Sequence, residues 1–205
     1  MQLIDTMDKL EAIYGEIELR SKAKEADHLI PEYAAFIDRS PFCMLATVGP
    51  EGVDVSPRGD PPGEFVRIAD PKTLHLPDRR GNNRADSLRN IVRDPRASMI
   101  FMIPGIGETL RINGTADLVV DPELLERYAI HGKLPRCVVR LHVETVYFQC
   151  QKALARSKLW DPASRVPRDE VPTAGQMLQA LIKSAPFDGA EYDRNYPDHM
   201  AKTIY

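Results

Sequence analysis

The sequence has no uninterrupted apolar run of about 18 residues, so no segment has the length and hydropathy of a membrane-spanning helix. Its opening residues, MQLIDTMDKLEAIYGEIELR, are charged throughout and lack the apolar core of a signal peptide. Cysteine is scarce. Cys43, Cys137 and Cys150 are odd in number and widely spaced, which argues against a disulfide framework and for reduced thiols in a cytoplasmic protein. No Cys or His pair has the spacing of zinc ligands, so no metal is expected. There is no G-x-x-x-x-G-K-[ST]. PGIGETLRING (104–114) contains G-x-G, but its third glycine is misplaced for a dinucleotide fingerprint and its context is a strand. ATPase and Rossmann dehydrogenase readings are therefore poor. A basic excess is also missing. The net charge is -3 and the pI about 6.0, which argues against a general nucleic-acid or membrane-surface binder. No internal repeat or low-complexity tract interrupts the chain.

What is present is enough apolar material for a core: 43% of 205 residues, suiting one globular domain with terminal additions or two small ones. The first forty residues read as helical. Met7, Leu10, Ile13, Tyr14 and Ile17 recur at three-and-four spacing, and PEYAAFIDRS places Pro31 in the first turn of a second helix. The texture then turns β-rich. FCMLATV (42–48) and VDVSP (53–57) flank the turn GPEG as a hairpin. EFVRIAD and TLHLPD are two more short strands, and Asn83 to Val92 forms a short helix with Leu88, Ile91 and Val92 as its apolar contacts. ASMIFMI (97–103) is apolar enough to be central. TLRINGTADLVV (109–120) is a long strand with a bulge at Gly114. DPELLERYAIHG is a capped helix, and 136–150 is a strand that alternates for much of its length. In the tail, AGQMLQALIKS is helical and EYDRNYPDHMAKTIY is a polar, aromatic end.

Long helices do not alternate with the strands, so a doubly wound parallel sheet is unfavoured. The expected fold is mainly β with helices (α+β): a six- to seven-stranded small antiparallel barrel. It is one domain overall, with a helical extension over 1–40, the barrel over 41–160 and a helical tail over 161–205 packed on it.

One stretch breaks the acidic balance. In PDRRGNNRADSLRNIVRDPR (77–96), six arginines stand against three aspartates. That leaves the remainder of the chain near -6, so the positive charge is local and its partner should be small. Arginine offers a planar fork of donors, Asn and Ser add neutral ones, and Gly81 admits backbone N–H groups close to an anion. Asn83 to Ser87 also falls where a helix should start, a favourable place for phosphate. RRGNNRADS thus reads as a mononucleotide phosphate cradle, or else as a solvated helix face whose arginines pair with Asp86 and Asp94. Spacing alone leaves both open. Elsewhere the signals are weaker. Ser56-Pro57-Arg58-Gly59-Asp60 reads as a polar turn with a charge pair. His75, His131 and His142 lack partners at catalytic spacing. CQKALARSKLW (150–160) sets Lys152, Arg156 and Lys158 near Trp160, which suits a flat anionic ligand or a basic turn closing the barrel.

Taken together, FCMLATVGPEGVDVSPRGD, LHLPDRRGNNRADSLRNIVRDPRASMIFMIPG, TLRINGTADLV and CQKALARSKLW resemble the pyridoxamine 5'-phosphate oxidase-like family of FMN-binding split β-barrel proteins, in the bacterial branch marked by PDRRGNNRxDSLRN. The resemblance implies a homodimer with FMN at the subunit interface. Ser56 to Asp60 would run beside the isoalloxazine ring, with Ser56 lining it and Arg58 touching the flavin. Arg79 and Arg80 would reach the ribityl chain and phosphate, and Asn83, Arg84 and Ser87 would form the phosphate segment. Thr109 and Arg111 would lie near the ring, and Lys152, Arg156 and Trp160 would come from the second subunit. True pyridoxamine 5'-phosphate oxidases carry a C-terminal Arg-Leu-His element. Here RLH occurs only at 140–142, inside a strand. The expectation is therefore an FMN-dependent oxidoreductase of unassigned substrate, acting on a small organic molecule or a nicotinamide donor. The alternatives are a non-catalytic FMN-buffering or sensing protein, a haem-binding barrel with His75 or His142 as ligand, a deazaflavin-binding barrel, and a structural dimer without cofactor.

Overall fold

The computed structural model describes residues 1–205. Seven strands make one antiparallel sheet: β1 (Phe42–Gly49), β2 (Gly52–Gly59), β3 (Arg67–Asp70), β4 (Thr73–Pro77), β5 (Arg96–Met102), β6 (Thr109–Val119) and β7 (Val138–Gln149). Their order is β2-β1-β5-β6-β7-β4-β3. The edge strands β2 and β3 do not pair with each other, so the barrel is split. Eight helices complete an α+β fold: α1 (Met7–Tyr14), α2 (Leu19–Ala23), α3 (Pro31–Arg39), α4 (Asp86–Arg93), α5 (Pro122–Arg127), α6 (Lys152–Ser157), α7 (Ala174–Leu181) and α8 (Gly189–Thr203). None is long and apolar enough to cross a membrane.

Period-two burial builds the sheet. Cys43, Leu45 and Thr47 of β1, Ala97, Met99 and Phe101 of β5, and Leu110, Ile112 and Ala116 of β6 all turn to the core. The first hairpin turns at Pro50-Glu51, with Gly49 opposite Gly52. At Gly114 the register shifts. The extra residue is Glu144 of β7, and a Cβ on Gly114 would meet the His142 carbonyl oxygen at 1.9 Å, so only glycine fits. The bulge explains why β7 alternates only in part: Val139, Leu141 and Val143 are buried before it, and Val146 after it.

α4 lies on the core side of the sheet. Ile91 is buried, and the Asn90 amide donates to the Thr47 hydroxyl at 3.2 Å. The helix begins at Asp86 rather than Asn83, because Asn83 (φ 64°) and Ala85 (φ 54°) take left-handed conformations that a helix cannot include. Val92 is 74% exposed rather than a core contact, since Ser87, Asn90 and Ile91 fill the inward face.

Ser56 to Gly59 is strand, not turn, because β2 pairs with β1 through Gly59. The expected local pair of Arg58 with Asp60 is replaced by two long-range ones. Arg58 donates to Asp78 at 2.9 Å, and Arg79 to Asp60 at 3.1 Å. Arg79 also donates to the Tyr128 carbonyl at 2.5 Å. These contacts tie the end of β2 to the segment leaving β4, across the split, where no backbone ladder exists. The Arg79 and Asp60 side chains are only 15% and 8% exposed.

The terminal additions differ in how they are held. α3 buries Tyr33 and Ile37, whereas no residue of α1 is buried, and the stripe from Met7 to Ile17 faces outward. The final polar stretch forms the fifteen-residue α8, with Pro197 inside it. α7 meets α8 glycine to glycine: a Cβ on Gly175 would lie 2.0 Å from the Gly189 carbonyl oxygen.

Two outcomes are expected. Arg79→Ala should lower urea-measured stability by about 2–3 kcal/mol, because it strands a nearly buried carboxylate, and Arg84→Ala at the exposed loop should cost less than about 1 kcal/mol. Burial pushes the Cys43 thiol up to about 12 and the Cys137 thiol up to about 11, while Cys150 is exposed. At neutral pH only Cys150 should react with an aromatic disulfide reagent until the protein is unfolded.

Candidate functional site

A cleft of about 700 Å³ opens where β2 faces the loop between β4 and α4. Period-two geometry puts Ser56 and Arg58 on the core-facing side of β2, opposite Leu45 and Cys43 of β1, so both reach over the sheet edge into it. The Ser56 and Ser87 hydroxyls are 3.0 Å apart, and Arg58 Nε donates to Ser56 at 3.3 Å. Ser87 is buried on the inner face of α4. The loop itself is shaped by Asn83 and Ala85, whose left-handed conformations flank Arg84. Alternation of this kind turns backbone N–H groups toward a common concavity. Ala85 gives α4 no side-chain cap, so the first N–H groups of the helix keep their hydrogen-bonding capacity beside the cleft.

Four arginines and three aspartates line the space: Arg58, Arg79, Arg84 and Arg136, with Asp54, Asp78 and Asp86. They are not equivalent. Arg58 is held by Asp78, and Arg79 by Asp60. Arg84 pairs with Asp86 at 2.7 Å, but both side chains are exposed and the pair is weak. Arg136 has no carboxylate partner. It donates to the Asn83 side-chain oxygen at 2.7 Å and keeps its charge uncompensated.

Of the sequence-derived candidates, Ser56, Arg58, Arg79, Asn83, Arg84 and Ser87 share this cleft. Arg80 points instead into neighbouring clefts. Thr109, Arg111, Lys152, Arg156 and Trp160 do not line it. Thr109 is nearly buried, opposite Gln149 in the ladder. Arg111 sits on the outer face of the sheet and donates to the Tyr147 hydroxyl at 3.2 Å. Trp160 donates to the Ile106 carbonyl at 2.8 Å, which fixes the segment carrying Lys152 and Arg156 against the β5–β6 turn. The solvated-face reading holds for part of the stretch: Arg84 pairs with Asp86, and Arg96 with Asp94. The Arg96 donors hold the Asp94 carboxyl down at about 2.

Sequence reading missed Arg136. Its only signal is position: it lies two residues before β7, whose ladder with β4 continues through the Asp78, Cys137 and Arg136 backbones and so delivers residue 136 to the arginine loop.

Residues 29–150 match the family model described as pyridoxamine 5'-phosphate oxidase. The chain belongs to the pyridoxamine 5'-phosphate oxidase family. Among solved structures it is similar to HupZ of Group A Streptococcus (20% identity, 58% of this chain and 91% of that one, TM-score 0.47). It is also similar to a Clostridium acetobutylicum protein related to general stress protein 26 of the pyridoxinephosphate oxidase family (14%, 58% and 86%, TM-score 0.45). A third likeness is to an F420 reductase (23%, 59% and 98%, TM-score 0.42). No curated protein matches the chain. The family span contains the whole 700 Å³ cleft, whereas Lys152, Arg156, Trp160, α7 and α8 lie beyond it.

The uncompensated charge of Arg136 gives a test of the cleft with inorganic phosphate as the probe. Arg136→Ala should abolish most of any inorganic phosphate binding seen by isothermal titration, while Arg96→Ala, whose guanidinium is already paired, should leave it unchanged.

Proposed function

We propose that this family member binds FMN with its phosphate in the cleft between β2 and the start of α4, and that it works as an FMN-dependent oxidoreductase on a small organic substrate or a nicotinamide donor. The observation that supports the reading is the convergence of Ser56, Arg58, Asn83, Arg84, Ser87 and Arg136 at the uncapped start of a helix. A phosphate monoester carries about two negative charges and several acceptor oxygens. Arg136 supplies one cation without breaking a pair, and Arg84 supplies another by leaving an exposed carboxylate. Ser56 and Ser87 add hydroxyl donors, and the uncapped first turn of α4 adds N–H groups, whereas the Arg84 N–H is already taken by the Asn82 side chain. Arg79 holds the loop in place rather than meeting the anion, because its fork is engaged with Asp60 and Tyr128. The cleft volume lies in the range of small-molecule sites.

Bound flavin supplies two-electron redox chemistry, and the chain supplies binding, orientation and charge. Here Arg58 is fixed by Asp78 and Ser56 at the mouth of the cleft, so it presents a positive charge at a defined position beside whatever the phosphate anchors.

The same reading makes the protein a homodimer. On β2, Val53 and Val55 are 74% and 52% exposed, and they share the outer sheet face with Val48 and Ala46 of β1. A second copy would cover this face and bring its Lys152, Arg156 and Trp160 toward the ring end of the cofactor.

The first test is the visible spectrum of the purified protein with and without added FMN. Twin flavin bands are expected, with Arg84→Ala and Arg136→Ala each weakening FMN affinity roughly tenfold. Absence of flavin uptake would sink the reading, and a Soret or deazaflavin band would replace the cofactor. For the dimer, Val55→Glu should halve the mass measured by light scattering.

A further inference from the structure

Beside the arginine cleft lies a larger one, of about 950 Å³, between α8 and the loop Arg80-Gly81-Asn82. We propose that it is a second ligand site, built for a flat, positively charged heteroaromatic ring that carries a single anionic group, the chemistry of a pyridinium nucleotide.

The cleft is held open by construction. α8 is clamped at both ends. At its start, the Gly175 N–H donates to Asp193 at 2.8 Å and the Gly189 N–H donates to Gln179 at 2.9 Å, over a glycine-to-glycine contact with α7 that admits no side chain. Beyond its end, Lys133 donates to the Tyr205 carbonyl at 2.6 Å. Between these clamps the helix stands away from the loop instead of packing on it.

The wall that α8 presents is aromatic. Tyr192 and Tyr196, one helical turn apart, stack with centroids 5.6 Å apart and an interplanar angle of 29°. Phe187 extends the ladder at 5.8 Å from Tyr192, and His199 extends it at 6.4 Å from Tyr196. A tail helix normally buries such a stripe, yet Tyr196 is 44% exposed here. Ring faces attract cations, and the carboxylates at the Phe187 end, Asp188 and Glu191, strengthen that preference. The opposite wall has the reverse sign. Arg80 makes neither an ion pair nor a hydrogen bond, unlike Arg79 and Arg84 on either side of it, so its fork is available for one anion.

Position adds meaning. Gly81 and Asn82 line both this cleft and the arginine cleft, so the two spaces share one thin wall. A ring held by Tyr196 would lie next to whatever the first cleft holds. Its role as a second reactant rests on the cofactor reading above, and there a pyridinium, which has no hydride to give, would accept the hydride that a small organic substrate had passed to the flavin. Its binding does not rest on that reading.

The probe is nicotinamide mononucleotide, titrated calorimetrically into the full-length protein. Nicotinamide riboside (ring without phosphate) and ribose 5-phosphate (phosphate without ring) serve as comparisons. The mononucleotide should bind once per chain. Tyr196→Ala should weaken it about tenfold, the order of one lost cation–ring contact. Arg80→Ala should weaken the mononucleotide about tenfold while leaving the riboside unchanged. Both residues are surface-facing, and an unchanged melting temperature would exclude misfolding. Absence of mononucleotide binding, indifference to Tyr196→Ala, or equal binding of ribose 5-phosphate would overturn the proposal. FMN titration of the same variants separates the two sites. Loss of mononucleotide binding with FMN affinity intact, in Tyr196→Ala, supports this site. Mononucleotide binding in a protein that takes up no FMN sinks only the cofactor reading.

Discussion

The structure depends on side chains to do what backbone hydrogen bonds do in a closed barrel. Seven strands form a single ladder, and its two ends are never joined by main-chain pairing. Arg58 with Asp78 and Arg79 with Asp60 cross the gap instead. Each pair is partly withdrawn from water, so its attraction is less screened than that of a surface pair, and each arginine makes a further hydrogen bond that offsets part of its desolvation. The pairs also set function. They fix the height of the 78–84 loop above β2, and that height decides that a cleft exists at all.

This accounts for the crowding of arginine in an acidic chain. The six arginines of the stretch are not one patch with one task. Arg79 belongs to the closure, Arg96 to a local turn with Asp94, and Arg84 to a weak pair at the mouth of the cleft. Arg80 faces another cavity. The strongest unpaired cation in the cleft, Arg136, comes from outside the stretch altogether. A net local charge read from sequence therefore overstates what any one ligand would meet, and the identity of the partners matters more than the count.

The legible parts of the fold were those governed by local periodicity. β-rich composition marks β1, a near-continuous apolar run marks β5, partial alternation marks β7, the glycine-flanked Pro50-Glu51 marks the hairpin, and Gly114 marks the bulge, because each signal is carried by residues a few positions apart. The illegible parts were long-range. Arg58 finds its carboxylate twenty residues away, and Arg136 finds Asn83 fifty-three residues away. The start of α4 was misplaced because left-handed Asn83 and Ala85 look like ordinary helix formers in a string of letters. α8 was missed because Pro197 interrupts its pattern and its apolar stripe is aromatic rather than aliphatic. Within the site, the segment 83–87 was legible by composition, and its companions on β2 by resemblance. The geometry that brings them together was not.

The bulge at Glu144 carries a consequence of its own. It acts as a phase shift in a two-beat strand. Up to Val143, the odd-numbered residues of β7 serve the core. Past Glu144 the even-numbered Val146 does so, and the odd-numbered Tyr147 is released to the outside, where it meets Arg111. One strand thus carries two independent codes, divided by a single residue. The half beside β4 can change without disturbing the polar ladder at the other end, and that ladder can acquire new chemistry without touching the core.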